Sequence, residues 1–238
     1  MMRVIAYLWI VLLLGACEVK YHDSISGNGK VKEIQISNDT IEHIIISDKL
    51  EVVIIPSDTN RLAIRADENL LDVIRTDVTD GTLVISTNKM IRMARSKEVL
   101  VYGKAVKEVE ASFRAMVMNE DTLRADEFKI KLNSGADASI TGNFKSLSAT
   151  ITSGSHINLA GKTEDLSIDA NTAADVDAYD LVADETNIMA STAADVRITV
   201  KNKAIFNANS LSDIRYRGEP SIIDSKTTSL ADITRVKF

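Results

Sequence analysis

The C-terminal half of this 238-residue chain is a repeat with a period of about 19 residues. Six segments share one pattern: a polar residue, a hydroxyl residue, two small or apolar residues, and a fifth position that is usually aspartate. The fifth position falls at 137, 156, 175, 195, 213 and 232, so successive copies are 19, 19, 20, 18 and 19 residues apart. Such a period is typical of solenoids, in which a repeat buries its apolar side only by stacking on its neighbours. The repeats are clearest over residues 127–238.

Each repeat contains two short segments in which apolar and polar residues alternate. One segment follows the fifth position, as where Val196 and Ile198 stand on either side of Arg197. The other segment precedes the corner, as in residues 128–132. Alternation of period two is typical of strands with one buried side. A helix does not fit into such a repeat, because a parallel crossover through a helix takes about a dozen residues or more. We therefore predict an all-β, single-domain parallel β-helix over residues 31–238, with coils of about 19 residues in the C-terminal half.

A hydroxyl side chain stands three residues before the fifth position in every repeat. A bend in a narrow coil leaves backbone polar groups unpaired, and a stacked hydroxyl can bond to them. We expect these residues to form a ladder inside the corner, with a stabilisation of roughly 1 kcal/mol per net hydrogen bond. The predicted corner ladder consists of Ser134, Ser153, Thr172, Thr192, Ser210 and Ser229.

The N-terminus has the pattern of a bacterial lipoprotein signal. Residues 1–3 form a short basic start. Residues 4–14 form an apolar run that has the length of a signal-peptide core and is too short to span a bilayer as a stable helix. Leu14-Gly15-Ala16-Cys17 resembles a lipobox, and Cys17 is the only cysteine of the chain. We predict a signal peptide over residues 1–16, acylation of Cys17 with chains such as palmitate, and a lipidated tether over residues 17–30. An ordinary signal peptide with a chance cysteine is the alternative.

This signal places the mature protein in the cell envelope, tethered to a membrane by its acyl chains. No run of acidic residues follows Cys17. The expectation is therefore the outer membrane, with the leaflet left open. The tether is expected to be flexible at residues 26–29, where glycine alternates with polar residues.

Composition and motifs disfavour several functions. The formal charge of −6 and the 5% aromatic content disfavour nucleic-acid binding. His22, His43 and His156 lack metal-ligand spacing. The sequence contains no Gly-x-Ser-x-Gly nucleophile elbow, no phosphate-binding loop and no cysteine-nucleophile motif. We therefore expect no catalytic residue and no cofactor. Residues 89–97 hold four basic side chains. We interpret them as a solvated loop, with an anionic-ligand patch as the alternative.

Several motifs resemble one known family. The segments 26–31 (SGNGKV), 66–71 (ADENLL) and 80–86 (DGTLVIS), together with the repeated Ser-Gly corners, resemble the "putative auto-transporter adhesin, head GIN domain" family. The resemblance covers nearly the whole mature chain and implies a β-helix on a Bacteroidetes-type lipoprotein. It implies no catalytic or binding residue. Ser112-Phe113-Arg114-Ala115 departs from the small-residue corner, as do the later corners that replace glycine.

The fifth position of the repeat is the candidate ligand face. Stacked acids can hold Ca²⁺ or accept hydrogen bonds from a sugar, and the alternative is that each aspartate caps its own bend. Two functions follow, and a structural or sensing role in the envelope without an external ligand is a third, weaker possibility. The first is a non-catalytic surface for a glycan or for an envelope or host protein, and the second is a Ca²⁺-dependent polysaccharide-active enzyme. Late coils lack the long inserted loops that build a substrate groove, which favours the first. The candidate residues are Asp137, His156, Asp175, Asp195, Asp213 and Asp232.

Overall fold

The computed structural model describes residues 23–237, except for the side chain of residue 223. Strands make up 66% of the structure, which is a β-solenoid of about seven turns with a spacing of about 19 residues. The prediction of an all-β parallel β-helix is confirmed.

The strands divide into an N-terminal and a C-terminal group, and a single 3₁₀ turn, Glu68–Leu70, is found in the described part of the chain. The N-terminal strands are β1 (Ser24–Ile25), β2 (Val31–Ser37), β3 (His43–Ile46), β4 (Glu51–Ile55), β5 (Arg61–Asp67), β6 (Ile74–Thr79), β7 (Thr82–Thr87), β8 (Met90–Ile91), β9 (Lys97–Tyr102), β10 (Glu108–Ala111) and β11 (Met116–Asn119). The C-terminal strands are β12 (Leu123–Leu132), β13 (Asp137–Thr152), β14 (His156–Asn171), β15 (Asp175–Ser191), β16 (Asp195–Ala208), β17 (Asp213–Arg217), β18 (Ser221–Thr227) and β19 (Asp232–Arg235).

Each turn contributes one segment to each of two parallel sheets. The first sheet runs through β7, β3, β10 and β12, then through the later parts of β13 to β16 and β18. The second sheet runs through β9, β4 and β11, then through the early parts of β13 to β16, β17 and β19. Asp175 pairs with Asp195 in the second sheet. The predicted one-coil spacing between these residues is therefore present.

The core lies between the two sheets and follows the predicted alternation. Val176, Val196 and Ile214 point inward and are at most 1% exposed. Phe128 stacks on the ring of Phe144 at 5.1 Å within the same core. Burial of one such side chain contributes roughly 1.5–3 kcal/mol, so the stacked core supplies most of the stabilisation.

The predicted corner ladder lies on the outside of the corner, so its interior placement is wrong. In Ser134 and Gly135 the φ angles are +55° and +72°, and the other corners repeat this pair of left-handed residues. Two successive positive φ angles define a type I′ turn, and here its two central residues project outward. The small residue that follows is the one buried in the core, as Ala136 and Ala174 show. The exposed or half-exposed hydroxyl residues are Ser134, Ser153, Thr172, Thr192, Ser210 and Ser229.

A backbone ladder holds the corner instead of a side-chain ladder. The Gly154 N–H donates to the Thr172 carbonyl of the next turn at 3.0 Å, and the Ala173 N–H donates to the Thr192 carbonyl at 2.9 Å. The same bond joins the Lys49 N–H to the Phe113 carbonyl at 3.1 Å. The corner at Phe113 therefore keeps its shape although its side chains are large.

The N-terminal half departs from a simple winding. β5 pairs antiparallel with β9 and β2, and β6 pairs antiparallel with β7. The β3–β4 turn lies between the β7–β9 turn and the β10–β11 turn, although β3 and β4 come first in the chain. Added strands of this kind cover the open end of a solenoid, where strand edges and core would otherwise face water.

The described part of the tether, residues 23–30, is bound to the domain. β1 pairs with β8, and the buried Asp67 carboxylate accepts the N–H groups of Gly29 at 2.9 Å and Ser96 at 3.1 Å. A Cβ on Gly27 would lie 1.9 Å from an Asp67 carboxylate oxygen, so only glycine fits there. The expectation of a flexible segment at 26–29 is therefore wrong, because two of the family-like motifs bond to each other.

Candidate functional site

The six predicted ligand-face residues form one straight column on the outer side of the second sheet. Each is the register partner of the next, from Asp137 through to Asp232. The four central side chains keep 36–45% of their surface exposed. We call this set the acidic column: Asp137, His156, Asp175, Asp195, Asp213 and Asp232.

Arginines of the neighbouring outward column neutralise much of the acidic column. Arg197 Nη1 lies 2.9 Å from Asp175 Oδ1. Arg215 contacts Asp213 Oδ2 through Nη2 at 2.7 Å and approaches Asp195 Oδ1 through Nη1 at 4.0 Å. The result is a strip of alternating charge, in which each exposed ion pair contributes at most about 1 kcal/mol to stability.

The C-terminal end of the acidic column differs from its centre. Asp232 accepts the N–H of Ile233 at 2.9 Å and the Thr234 hydroxyl at 2.6 Å. Within the described residues, Asp232 is the only column member whose carboxylate accepts a backbone N–H. The bend-capping interpretation therefore fits Asp232 and fails for Asp175, which binds an arginine.

The geometry of the acidic column offers no metal cage. Within residues 23–237 no group of three or more His, Cys, Asp or Glu side chains is arranged to hold a metal ion. His156 Nδ1 lies 3.5 Å from Asp175 Oδ2, so the one imidazole of the column faces an acid of the next turn. The column can accept hydrogen bonds and bind cationic groups along its length.

A cation–π pair extends the polar strip, and sequence reasoning missed it. The Arg217 guanidinium lies 3.8 Å from the centre of the Tyr179 ring. The register of β15 on β16 shifts between Ala178 and Val182. The 20-residue spacing between positions 175 and 195 signalled a turn longer than its neighbours, but not which side chains the irregularity would bring together.

The outer side of the first sheet carries a different pattern, which sequence reasoning did not single out. Lys131 Nζ lies 2.7 Å from Glu108 and 2.8 Å from Glu110, and these hydrogen bonds raise the pKa of Lys131. Farther along, Lys203 is paired with Glu185. Charges on this side are thus matched between adjacent strands and form no continuous acidic line.

A cavity of about 290 Å³ lies apart from the acidic column and from the ion pairs on the outer side of the first sheet. Ile54, Val106, Leu123 and Phe128 form its apolar wall, and Arg124 is at its rim. None of its lining residues belongs to the acidic column. This cavity and the acidic column are therefore separate features of the described residues.

The predicted lipidation site, Cys17, and the signal peptide lie outside the described residues. Among residues 23–237, no helix has the length and hydrophobicity needed to cross a bilayer.

Comparison with known proteins identifies the family. The family model described as "Putative auto-transporter adhesin, head GIN domain" matches residues 41–220. The chain belongs to this family. The match spans the two-sheet turns from β3 to β17 and thus covers most of the acidic column. A comparison with curated proteins found no match.

Solved structures from Bacteroides and Parabacteroides species share the architecture. A putative adhesin from Bacteroides fragilis has a TM-score of 0.76 at 17% identity, with 89% of this chain and 100% of that chain covered. A putative lipid binding protein from Parabacteroides distasonis has a TM-score of 0.70 at 18% identity, covering 90% and 100%. A putative adhesin from Parabacteroides merdae has a TM-score of 0.67 at 23% identity, again covering 90% and 100%. At these identities the likeness shows a shared fold.

Proposed function

We propose that this head GIN domain protein is a non-catalytic envelope lipoprotein that binds an extended polar ligand along its acidic column. The single observation that carries the proposal is the register: six polar side chains of successive turns stand in line on one outward face. Solenoids use such extended surfaces rather than pockets for recognition. The adhesin description of the family agrees with this role.

The shape of the face supports a surface function. Successive strands from β12 to β19 are joined by only three or four residues, so no inserted loop builds walls around the column. A glycan chain suits this strip, because carboxylates accept hydrogen bonds from sugar hydroxyls. A basic protein segment is the second ligand class. No contact of the described residues favours the Ca²⁺-dependent polysaccharide-active enzyme.

The membrane anchor is part of the proposal. Its support is the Leu14–Cys17 segment, with Cys17 as the single cysteine. Acyl chains contribute roughly 0.8 kcal/mol per buried methylene, so two or more long chains hold a protein firmly on a bilayer. The mature protein is expected on the outer membrane.

A glycan array and a pull-down from envelope extract test the ligand face. The probe is the mature chain with Cys17→Ser, used with and without Ca²⁺. The double variant Asp175→Asn with Asp195→Asn should lose most of the binding. The control is Asp169→Asn, which replaces an aspartate on the outer side of the first sheet. This variant should keep the binding of the parent protein. Equal binding by all three proteins would overturn the assignment of the face.

Cell fractionation tests the anchor separately. The native protein should sediment with membranes and incorporate labelled palmitate. Cys17→Ala should do neither. If Cys17→Ala still sediments with membranes and resists salt extraction, the lipoprotein assignment fails, whatever the ligand.

A further inference from the structure

Three large apolar side chains are exposed close to the start of the described chain. Met90 is 44% exposed, Met93 is 75% exposed and Phe113 is 62% exposed. Met90, Phe113 and Lys49 line one shallow cavity of about 200 Å³, so β8 and the Phe113 corner form a continuous surface. We call the set Met90, Met93, Phe113, Lys49, Arg92 and Arg114 the β8 patch.

The β8 patch combines these apolar groups with free positive charge. Lys49, Arg92 and Arg114 are exposed and form no salt bridge with any described residue. Two nearby lysines are already neutralised, since Lys89 lies 3.8 Å from Asp23 and Lys97 lies 3.0 Å from Glu51. The three free cations thus give the patch a net positive charge.

Of the acids beside the patch, Asp23 is paired with a lysine, whereas Asp48 keeps its negative charge and is outnumbered by the three free cations. Asp23 faces Lys89, as described above. Asp48 accepts the Ser47 hydroxyl at 2.9 Å and lies 3.5 Å from the Thr87 backbone nitrogen. Neither carboxylate contacts Arg92 or Arg114.

The chain leaves the domain directly beside this patch. Ser24 pairs with Met90 and Ile25 with Ile91, and the Gly27 N–H donates to the Met93 carbonyl at 2.7 Å. The Asp67 carboxylate then fixes the segment from residue 27 to 29 on the domain. The exit point of the chain toward Cys17 is therefore fixed rather than free.

The length of the remaining chain sets a limit on the distance to the membrane. Cys17 and Asp23 are six residues apart in the sequence. Six residues span at most roughly 20 Å when fully extended. An acylated Cys17 therefore holds the β8 patch within about that distance of the bilayer surface.

We propose that the β8 patch rests on an anionic lipid surface. Phe113 and Met93 enter the interface between headgroups and acyl chains, where amphipathic surfaces with exposed Phe and basic residues bind. Lys49, Arg92 and Arg114 reach the lipid phosphates, because long basic side chains extend their charged ends toward headgroups. This inference rests on the proposed lipid anchor and adds an orientation: the N-terminal end faces the membrane and the C-terminal turns point away.

Vesicle binding without the anchor tests the patch. The mature chain with Cys17→Ser is mixed with phosphatidylcholine vesicles, with and without phosphatidylglycerol, and sedimented. We expect binding only to the anionic vesicles, and we expect it to weaken as salt is added. Equal sedimentation with both vesicle types, or none with either, would overturn the proposal.

Matched variants assign the effect to residues. Arg92→Glu with Arg114→Glu should weaken vesicle binding roughly tenfold or more, because each basic residue near an anionic surface contributes to attraction. Phe113→Ser with Met93→Ser should also weaken it. The controls are Lys162→Glu and Leu230→Ser, which change an exposed cation and an exposed corner leucine in the C-terminal turns. If the control variants lose as much vesicle binding as the patch variants, the assignment of binding to the β8 patch is contradicted.

Folding and anchoring are checked apart from this result. Each variant should keep the melting temperature of the parent protein to within a few degrees, since all the changed side chains are exposed. If Cys17→Ser protein ignores anionic vesicles while the native protein incorporates palmitate, the patch assignment fails and the anchor stands. If the Cys17→Ser protein binds anionic vesicles while the native protein incorporates no palmitate, the anchor assignment fails and the patch assignment stands.

Discussion

The C-terminal turns and the N-terminal end are built on the same corner but carry different surfaces. Between β12 and β19 the turns follow one another in chain order, and their outer acids are matched by Arg197 and Arg215. At the N-terminal end the chain reverses, antiparallel strands are added, and exposed Phe113 and Arg114 occupy a corner whose later copies hold serine or threonine followed by glycine, alanine or leucine. The difference separates the regular turns, which carry the proposed ligand face, from the end that we propose rests on the membrane.

This comparison shows that backbone bonding, and not side-chain size, defines the corner. Phe113 and Arg114 have φ angles of +52° and +61°, close to the +55° and +58° of Thr172 and Ala173. A non-glycine residue in this region pays roughly 1–2 kcal/mol. The corner keeps this conformation because each N–H of the ladder has an acceptor in the next turn. The outward side chain is then free to vary with function.

The largest effect is expected at the second bend of the regular turns. A Cβ on Gly161 would lie 2.0 Å from the Gly142 carbonyl oxygen, at φ +113°. Gly161→Ala should therefore lower the free energy of unfolding by more than roughly 3 kcal/mol or prevent folding. The control is Gly154→Ala at a corner, where nothing lies within 4 Å and two other turns already have alanine. Urea unfolding compares them, and equal losses would refute the difference between bend and corner.

An intermediate effect is expected at the buried small position of the corner. The Ser212 hydroxyl donates to the Ala190 carbonyl at 2.8 Å, whereas the buried Ser155 hydroxyl has no protein partner. Ser212→Ala should lower the free energy of unfolding by roughly 1 kcal/mol, and Ser155→Ala should leave it unchanged or raise it. Thermal melting of the two variants measures this. A larger loss for Ser155→Ala would show that its hydroxyl is bound in solution.

A smaller, local effect of pH is expected at the N-terminal end. Burial would raise the pKa of Asp67, but the N–H groups bonded to its carboxylate outweigh burial and hold the pKa below its usual value. Because the folded pKa is depressed, the contribution to stability is full above the unfolded pKa of about 3.9 and is lost as pH falls through the folded value.

Hydrogen exchange by NMR checks this pH effect. Protection of the Gly29 N–H should fall in acid before protection of the Gly154 N–H, which belongs to the backbone ladder of the C-terminal turns. Asp67→Asn should remove the acid dependence at Gly29. Simultaneous loss of protection at both amides would mean that the two regions unfold as one unit.

Sequence reasoning predicted the parts of the fold that repeat. Alternation at Val196 and Ile198 and the recurring fifth position determined the strand faces and the acidic column, because a solenoid maps sequence period directly onto register. It failed for the corner hydroxyls, since Ser and Thr suit both buried and exposed bends and the φ angles decide between them. The placement of β3 and β4 between later strands was also hidden, because it depends on contacts between segments that share no period.

The orientation of the anchored protein is the most direct test of the account. A fluorescent label is attached through Asn88→Cys beside β8 or through Leu230→Cys in the C-terminal turns, with the native Cys17 acylated. In vesicles that carry a headgroup quencher, the label at position 88 should be strongly quenched. The label at position 230, eight strand spacings and about 38 Å away along the axis, should be little affected. Equal quenching, or stronger quenching at position 230, would contradict a protein that stands on its N-terminal end.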